Sequence, residues 1–175
     1  MTVGIQQLMW QIERCRDAFH HAVYVARDPD AAVATTHADC ELINTPIGTG
    51  ASGPAGLRRY LAEDVVPHLP ADLTFTRVSR TIDQRRIVDE MTVGFTHDRE
   101  LPWLLPGAAP TGLHVVVTAI SVVTVRHTTR LGTTESRISA HRTLWDHSGL
   151  LWILNGSGAA STPPSSASSP GPRSR

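Results

Sequence analysis

Residues 86–98 constrain the fold of this chain more than any other stretch. Counting by two from Ile87 gives Ile87, Asp89, Met91, Val93, Phe95 and His97. Alternation of that length marks a β-strand with one apolar face. The face carries a carboxylate near its start and an imidazole at its end. A Trp- and Pro/Gly-rich segment, DRELPWLLPGAAPTG, follows at residues 98–112. A histidine closing an apolar stripe beside an aromatic loop is the arrangement expected of a small-molecule pocket in a curved sheet.

The rest of the second half reads as sheet. Residues 73–83 alternate as a strand and reach residue 86 through Asp83-Gln84-Arg85, a hairpin-length connection. Residues 112–127 are apolar on both faces, which predicts a central strand or one covered on both sides. Residues 136–147 form the last strand.

The first half reads as helix. Residues 5–26 place Ile5, Leu8, Met9, Ile12, Cys15, Phe19, Val23 and Ala26 on one side at three- and four-residue spacing. Asp28 as N-cap and Pro29 at the first position open a second helix, predicted to run to about Cys40. Residues 41–48 predict a short strand. Pro54 opens a third helix with Leu57, Leu61 and Val65 inward, ended by Pro67. The glycine-rich GTGASG lacks the lysine-containing ending of a phosphate loop and reads as a plain turn.

Three helices followed by long antiparallel strands predict an α+β domain over residues 1–154, with helices on one face of a bent sheet and a hollow between. Residues 155–175 are Ser/Pro/Gly-rich and predict a disordered tail. A chain of 175 residues, 41% hydrophobic and 18% charged, suits one core, and its formal net charge of +0 gives no field for nucleic acid or anionic membrane. The 16 basic residues are all arginine, read as compositional bias. Cys15 and Cys40 predict buried free thiols. The N-terminal residues show no leader pattern and no run reaches membrane-spanning length, so a cytoplasmic setting is expected.

At this point the pattern resembles the SnoaL-like branch of the nuclear transport factor 2-like superfamily. The helix and strand order, the block VDEMTVGFTHDRELPWLLPGAAPTG (88–112) and the LWDH ending (144–147) carry the resemblance, over roughly residues 5–150. It implies a cone-shaped, strongly curved antiparallel sheet, often dimeric through its outer face. It also implies a cavity used by polyketide cyclases, ketosteroid isomerases, dehydratases, epoxide hydrolases and plain ligand binders. The chain departs from that pattern in having His141-Arg142 where Glu-His is common.

Asp146 is the expected catalytic base, because a carboxylate at a greasy cavity end is desolvated and its pKa raised. Counting back by two puts Leu144, Arg142, Ala140 and Ile138 on its face, so a salt bridge to Arg142 is the competing reading. His97 is the expected donor to an enolate oxygen or proton relay, against a plain role at the edge of the core. His141 points away from Asp146 on a regular strand and joins the pocket only if a bulge intervenes. Trp103 and Trp145 are expected to stack on the ligand. Met91 and Phe95 are expected to wall it, with Tyr24 and Arg142 contributing. The histidines show no spacing for a shared ion, so no metal and no cofactor are expected.

The expected function is cofactor-free acid–base chemistry (cyclisation, isomerisation or dehydration) on a small hydrophobic carbonyl-bearing molecule, by a homodimer. The alternatives are a non-catalytic ligand-binding or dimerising module, and an epoxide or lactone hydrolase in which Asp89, Arg142 and Asp146 converge.

Overall fold

A computed structural model describes residues 4–156. The helices are α1 (Ile5–Tyr24), α2 (Pro29–Ala34), α3 (Gly53–Tyr60) and α4 (His147–Leu154). Beyond α3 the chain continues through a π-helical turn, Leu61–Val65, and a 3-10 turn, Val66–His68. The strands are β1 (Thr36–Asn44), β2 (Thr49–Ser52), β3 (Thr74–Ile82), β4 (Arg86–Thr96), β5 (His114–Arg130) and β6 (Thr133–Trp145). They form one sheet in the order β2-β1-β6-β5-β4-β3. All pairings are antiparallel except β1 with β6, which is parallel. Among the described residues no helix is long and apolar enough to cross a membrane.

The expected α+β architecture is present, with a curved, open sheet holding helices against its concave face. The β4 stripe is buried along its whole length, from Ile87 through Asp89, Met91, Val93 and Phe95 to His97. The buried side of α1 is Ile12, Cys15, Phe19, Ala22 and Val23, whereas Ile5 in its first turn faces solvent. Asp28 caps α2, accepting from the Ala31 N–H at 3.0 Å. Cys15 and Cys40 are buried free thiols.

Several boundaries differ from the sequence expectation, and residues 49–52, expected within a plain turn, form β2. Helix α2 stops at Ala34, and residues 36–40 extend β1, whose parallel pairing with β6 supplies hydrogen bonds that a longer helix would forgo. Residues 147–154 are helical, and their Leu150 and Leu154 complete the core. Strand β5 is the expected central strand, lying between β4 and β6, and it is covered on one face: Val115, Val117 and Ala119 are buried, while Val116 and Ile120 are exposed. The C-terminal tail lies outside the described residues apart from Asn155 and Gly156.

The register shifts in three places: between Thr36 and Glu41 where β1 meets β6, and at single-residue bulges in β3 and β6. In β3 the register passes from Arg77↔Met91 to Ser79↔Glu90, leaving Val78 unpaired. In β6 it passes from Val125↔Ile138 to Thr124↔Ala140, leaving Ser139 as the extra residue. Such insertions bend a strand and reverse which face its later side chains occupy. At the β1–β2 turn, Gly50 (φ +146°) lets the two backbones close: a Cβ there would fall 2.0 Å from Leu42 O.

Candidate active site

One row of residues in register crosses the whole concave face. Arg80 of β3 faces Asp89 of β4, Asp89 faces Ser121 of β5, and Ser121 faces Thr143 of β6. Thr143 faces Asn44 of β1, which faces Thr49 of β2. Every member is polar. The flanking row Met91–Ala119–Trp145 is apolar, as is Val93–Val117 one step beyond. Side chains opposite one another across a pairing lie on the same face, so a polar belt runs through an otherwise greasy hollow.

Helix α1 roofs the belt. Arg16, Phe19, His20 and Tyr24 share one side of it by three- and four-residue spacing and line the cavity. Trp103 and Leu104 close it from the loop between β4 and β5. The cavity volume is about 50 Å³, so the hollow is a slot. A smaller extension leads toward Tyr60 and Leu61 at the start of the π-helical turn.

At the β3 end of the belt Asp89 is 1% exposed and carries two guanidinium partners. Arg16 Nε lies 2.7 Å from it, and Arg80 donates through Nε at 2.6 Å and Nη2 at 2.9 Å. Arg80 also binds Glu13 at 2.7 Å and Asp17 at 3.0 Å, which ties α1 to the edge of the sheet. The Asp17 carboxyl lies below its ordinary range: its partial burial pulls upward, but hydrogen bonds and charge from Arg80, with help from Arg16, outweigh it.

In the centre, Ser121 Oγ and His141 Nε2 are 3.0 Å apart. His141 Nδ1 is buried with no partner among the described residues. Burial pushes the His141 imidazole down to about 3, aided by the positive charge of Arg16. Burial and Arg16 likewise push His20 down to about 4. Both rings are therefore neutral at physiological pH. His20, Tyr24 and Phe75 pack ring against ring with centroids 4.6–4.8 Å apart. Burial raises the Tyr24 hydroxyl to about 12, so it stays a donor. Among the described residues no carboxylate lines the slot itself, and Asp89 of the belt is buried against Arg16 and Arg80.

At the β1 end, Asn44 Nδ2 lies 3.0 Å from Tyr60 Oη, 3.0 Å from the Trp103 carbonyl oxygen and 3.1 Å from Thr49 Oγ1. Asn44 thus fixes the main chain of the loop at Trp103. The Trp103 indole Nε1 is buried and unpartnered.

The residues singled out from sequence divide into two groups. Trp103, Met91, Trp145 and Tyr24 come together around the slot. Asp146 does not: it is exposed and caps α4, accepting from the Gly149 N–H at 2.9 Å. The Ser139 bulge is the reason, since it turns Ala140, Arg142, Leu144 and Asp146 away from the side to which Ile138 points. Arg142 is accordingly exposed and makes no ion pair with Asp146.

His97 is fully buried but lies outside the slot. Its main chain accepts from the Thr111 and Gly112 N–H groups and donates to Leu113 O, and its Nδ1 lies 3.2 Å from Thr111 Oγ1. It staples the loop that carries Trp103. Burial lowers its pKa. Phe95 packs in the core without lining the slot. Asp89, Arg142 and Asp146 do not converge, because β5 separates β4 from β6 and only Asp89 faces inward.

Arg16, His20, Asn44, Ser121 and His141 were missed or set aside as site residues. The available signal was a lone polar residue in the apolar stripe of successive strands, at Asp89, Ser121 and Thr143.

The sequence matches the model of the SnoaL-like domain over residues 16–129, well over half of the chain. Among functionally curated proteins none matches it. Solved structures share the fold at low identity. A protein from Jannaschia sp. CCS1, described as a SnoaL-like polyketide cyclase, superposes with a TM-score of 0.60 at 15% identity, covering 88% of this chain and 95% of its own. TerC, co-crystallised with polyporic acid, gives 0.57 at 16% identity, covering 83% and 98%. A Catenulispora acidiphila DSM 44928 protein with a ketosteroid isomerase-like fold, in complex with trimethylamine, gives 0.55 at 17%, covering 85% and 97%. With its curved sheet, its roofing helices and this match, the chain belongs to the SnoaL-like domain family of the nuclear transport factor 2-like fold.

Proposed function

We propose that the slot takes a flat, hydrophobic, carbonyl-bearing molecule and that His141 acts on the carbonyl oxygen in cofactor-free acid–base chemistry. Cyclisation, isomerisation and dehydration all pass through an enol or enolate and fit this scheme. The observation that carries the reading is the Ser121–His141 pair in a cavity without a carboxylate. A neutral imidazole has one N–H and one acceptor nitrogen. When the Ser121 hydroxyl donates to Nε2, the proton sits on Nδ1, the nitrogen left without a partner. Nδ1–H then donates to an oxygen that gains negative charge during the reaction, an interaction that strengthens in a water-poor site.

His20 is the second imidazole of the slot and the proposed proton acceptor. Its basicity in the empty slot is low. An enolate forming nearby favours the protonated ring, since an opposite charge within a few ångströms raises an imidazole pKa. Arg16 adds a fixed positive charge near both rings. The polyketide-cyclase description of one structural neighbour and the polyporic acid bound to another support the reading by analogy.

One observation favours a second reading, in which the slot holds its ligand without turning it over. Both imidazoles titrate far below neutral pH, whereas a general base works best with a pKa near the operating pH.

Deuterium exchange at the α-carbon of 1-indanone in D2O, followed by NMR, separates the two. Catalysis of enolisation predicts exchange well above the buffer rate and a fall of about 10²-fold or more in His141→Gln. Binding of 1-indanone with exchange at the buffer rate selects the ligand-holding reading instead.

A further inference from the structure

We infer that the indole N–H of Trp103 is the polar anchor of the slot, so that the ligand presents an acceptor oxygen to Trp103 and not only a flat face for stacking. The inference rests on the reading of the slot as a ligand site and adds what reads the ligand there. Trp103 is 7% exposed, and its Nε1 has no partner among the described residues. Its main-chain oxygen, by contrast, accepts from Asn44 and from Thr49 Oγ1 at 3.2 Å, so the residue is held from its backbone side while the ring nitrogen is left over.

An indole nitrogen donates and never accepts. A buried donor without a partner costs about 1–3 kcal/mol, and native proteins keep few of them without reason. Trp103 and His141 line both the main slot and its extension toward Tyr60, so both buried, unpartnered nitrogens belong to residues at the neck between the two compartments. The remaining unpartnered nitrogen, His97 Nε2, lies outside the slot. Around the neck the rings of Phe19 and Tyr24 stand beside the belt residues Asn44 and Thr143, and Trp145 walls the main slot.

These features select a neutral ring system carrying at least one carbonyl-type oxygen. A cationic ligand is disfavoured by the same surroundings that keep both imidazoles unprotonated. A carboxylate gains little from Arg16, whose Nε is already on Asp89.

The test compares 1-indanone with indane, the same bicyclic frame with and without the oxygen, by calorimetry on the full chain. The wild type is expected to prefer 1-indanone by about tenfold. Trp103→Phe keeps an aromatic ring, removes the N–H and is expected to cut that preference to about threefold or less, the His141 donation remaining, while indane affinity stays within about twofold. A second arm needs no variant in the binding sample: the indole N–H resonance of Trp103 is expected to move further downfield with 1-indanone than with indane, whose ring current alone acts on it. If both probes bind, yet the preference is undiminished in Trp103→Phe or the resonance moves no further with 1-indanone than with indane, the anchor is refuted while the slot remains a ligand site. If neither probe binds, the ligand-site reading falls and the anchor with it. Should Trp103→Phe fail to fold, the resonance arm decides.

Discussion

Ser121 Oγ and His141 Nε2 meet at 3.0 Å across β5 and β6, although the two residues are not direct partners in the ladder: Ser121 faces Thr143, and His141 faces Val123. The diagonal contact leaves the other imidazole nitrogen free, and burial holds the ring neutral. A serine one step along the belt thereby sets which nitrogen of the histidine is available to a ligand.

Neutral burial has a consequence for stability. His141 and His20 hold folded-state pKa values of about 3 and about 4 against an ordinary 6.5. Above pH 6.5 the folded and unfolded chains both leave these rings unprotonated. Below it the unfolded chain binds protons that the folded chain refuses, so stability falls as pH drops from 6.5 toward 4. Urea midpoints at pH 7.5, 6 and 5 are expected to decline, and His141→Gln is expected to lessen the decline to pH 5 by about 1–2 kcal/mol. Parallel declines in the two proteins would remove His141 from the explanation.

Asp89→Asn is expected to destabilise the fold by about 3 kcal/mol. It leaves two largely buried guanidiniums without their shared carboxylate, and breaking one side of a buried ion pair is costly. Glu13 and Asp17 still compensate part of the charge of Arg80, which keeps the loss at the lower end of the roughly 3–5 kcal/mol that breaking a buried pair costs. Chemical denaturation of the variant at neutral pH measures it, and a loss under 1 kcal/mol would contradict the assignment.

Asp146→Ala is expected to cost about 1 kcal/mol through the lost cap of α4 and to leave ligand binding in the slot unchanged. A fall in 1-indanone exchange of tenfold or more in this variant, with stability otherwise intact, would return Asp146 to the chemistry.

His97→Ala is expected to loosen the loop from residue 98 to 113, with faster amide hydrogen exchange at Leu104 and Leu105 and weaker binding through a displaced Trp103. His97→Asn restores a side-chain polar atom near the Nδ1 position and is expected to recover part of the protection. Unchanged exchange in His97→Ala would mean that the backbone hydrogen bonds at Thr111 and Gly112 hold the loop unaided.

Much of the fold was legible because burial in a sheet has a period of two. The β4 stripe named from Ile87 to His97 is buried throughout, and the Asp28-Pro29 start of α2 follows from capping chemistry alone. The site was less legible, and β6 shows why. Ile138 is buried, and counting by two from it leads to Asp146. The extra residue at Ser139 reverses the parity, so the inward set becomes His141, Thr143 and Trp145. A bulge has no strong local signature, and one unpaired residue exchanged a carboxylate for an imidazole. The belt depends equally on register between strands distant in sequence. Asp89 stands out within its own strand, but nothing local joins it to Ser121 or Asn44.

The sheet order also bears on how the nascent chain acquires its binding chamber. Strand β6 is the last strand synthesised, yet it lies between β1 and β5 and delivers His141, Thr143 and Trp145. Until it inserts, the β1–β2 hairpin and the β3–β5 meander are two separate ribbons with unpaired edges, a non-local closure of the kind that slows folding and exposes strands to aggregation. A chain that ends before Thr133 therefore has the two ribbons and no strand to join them into a chamber.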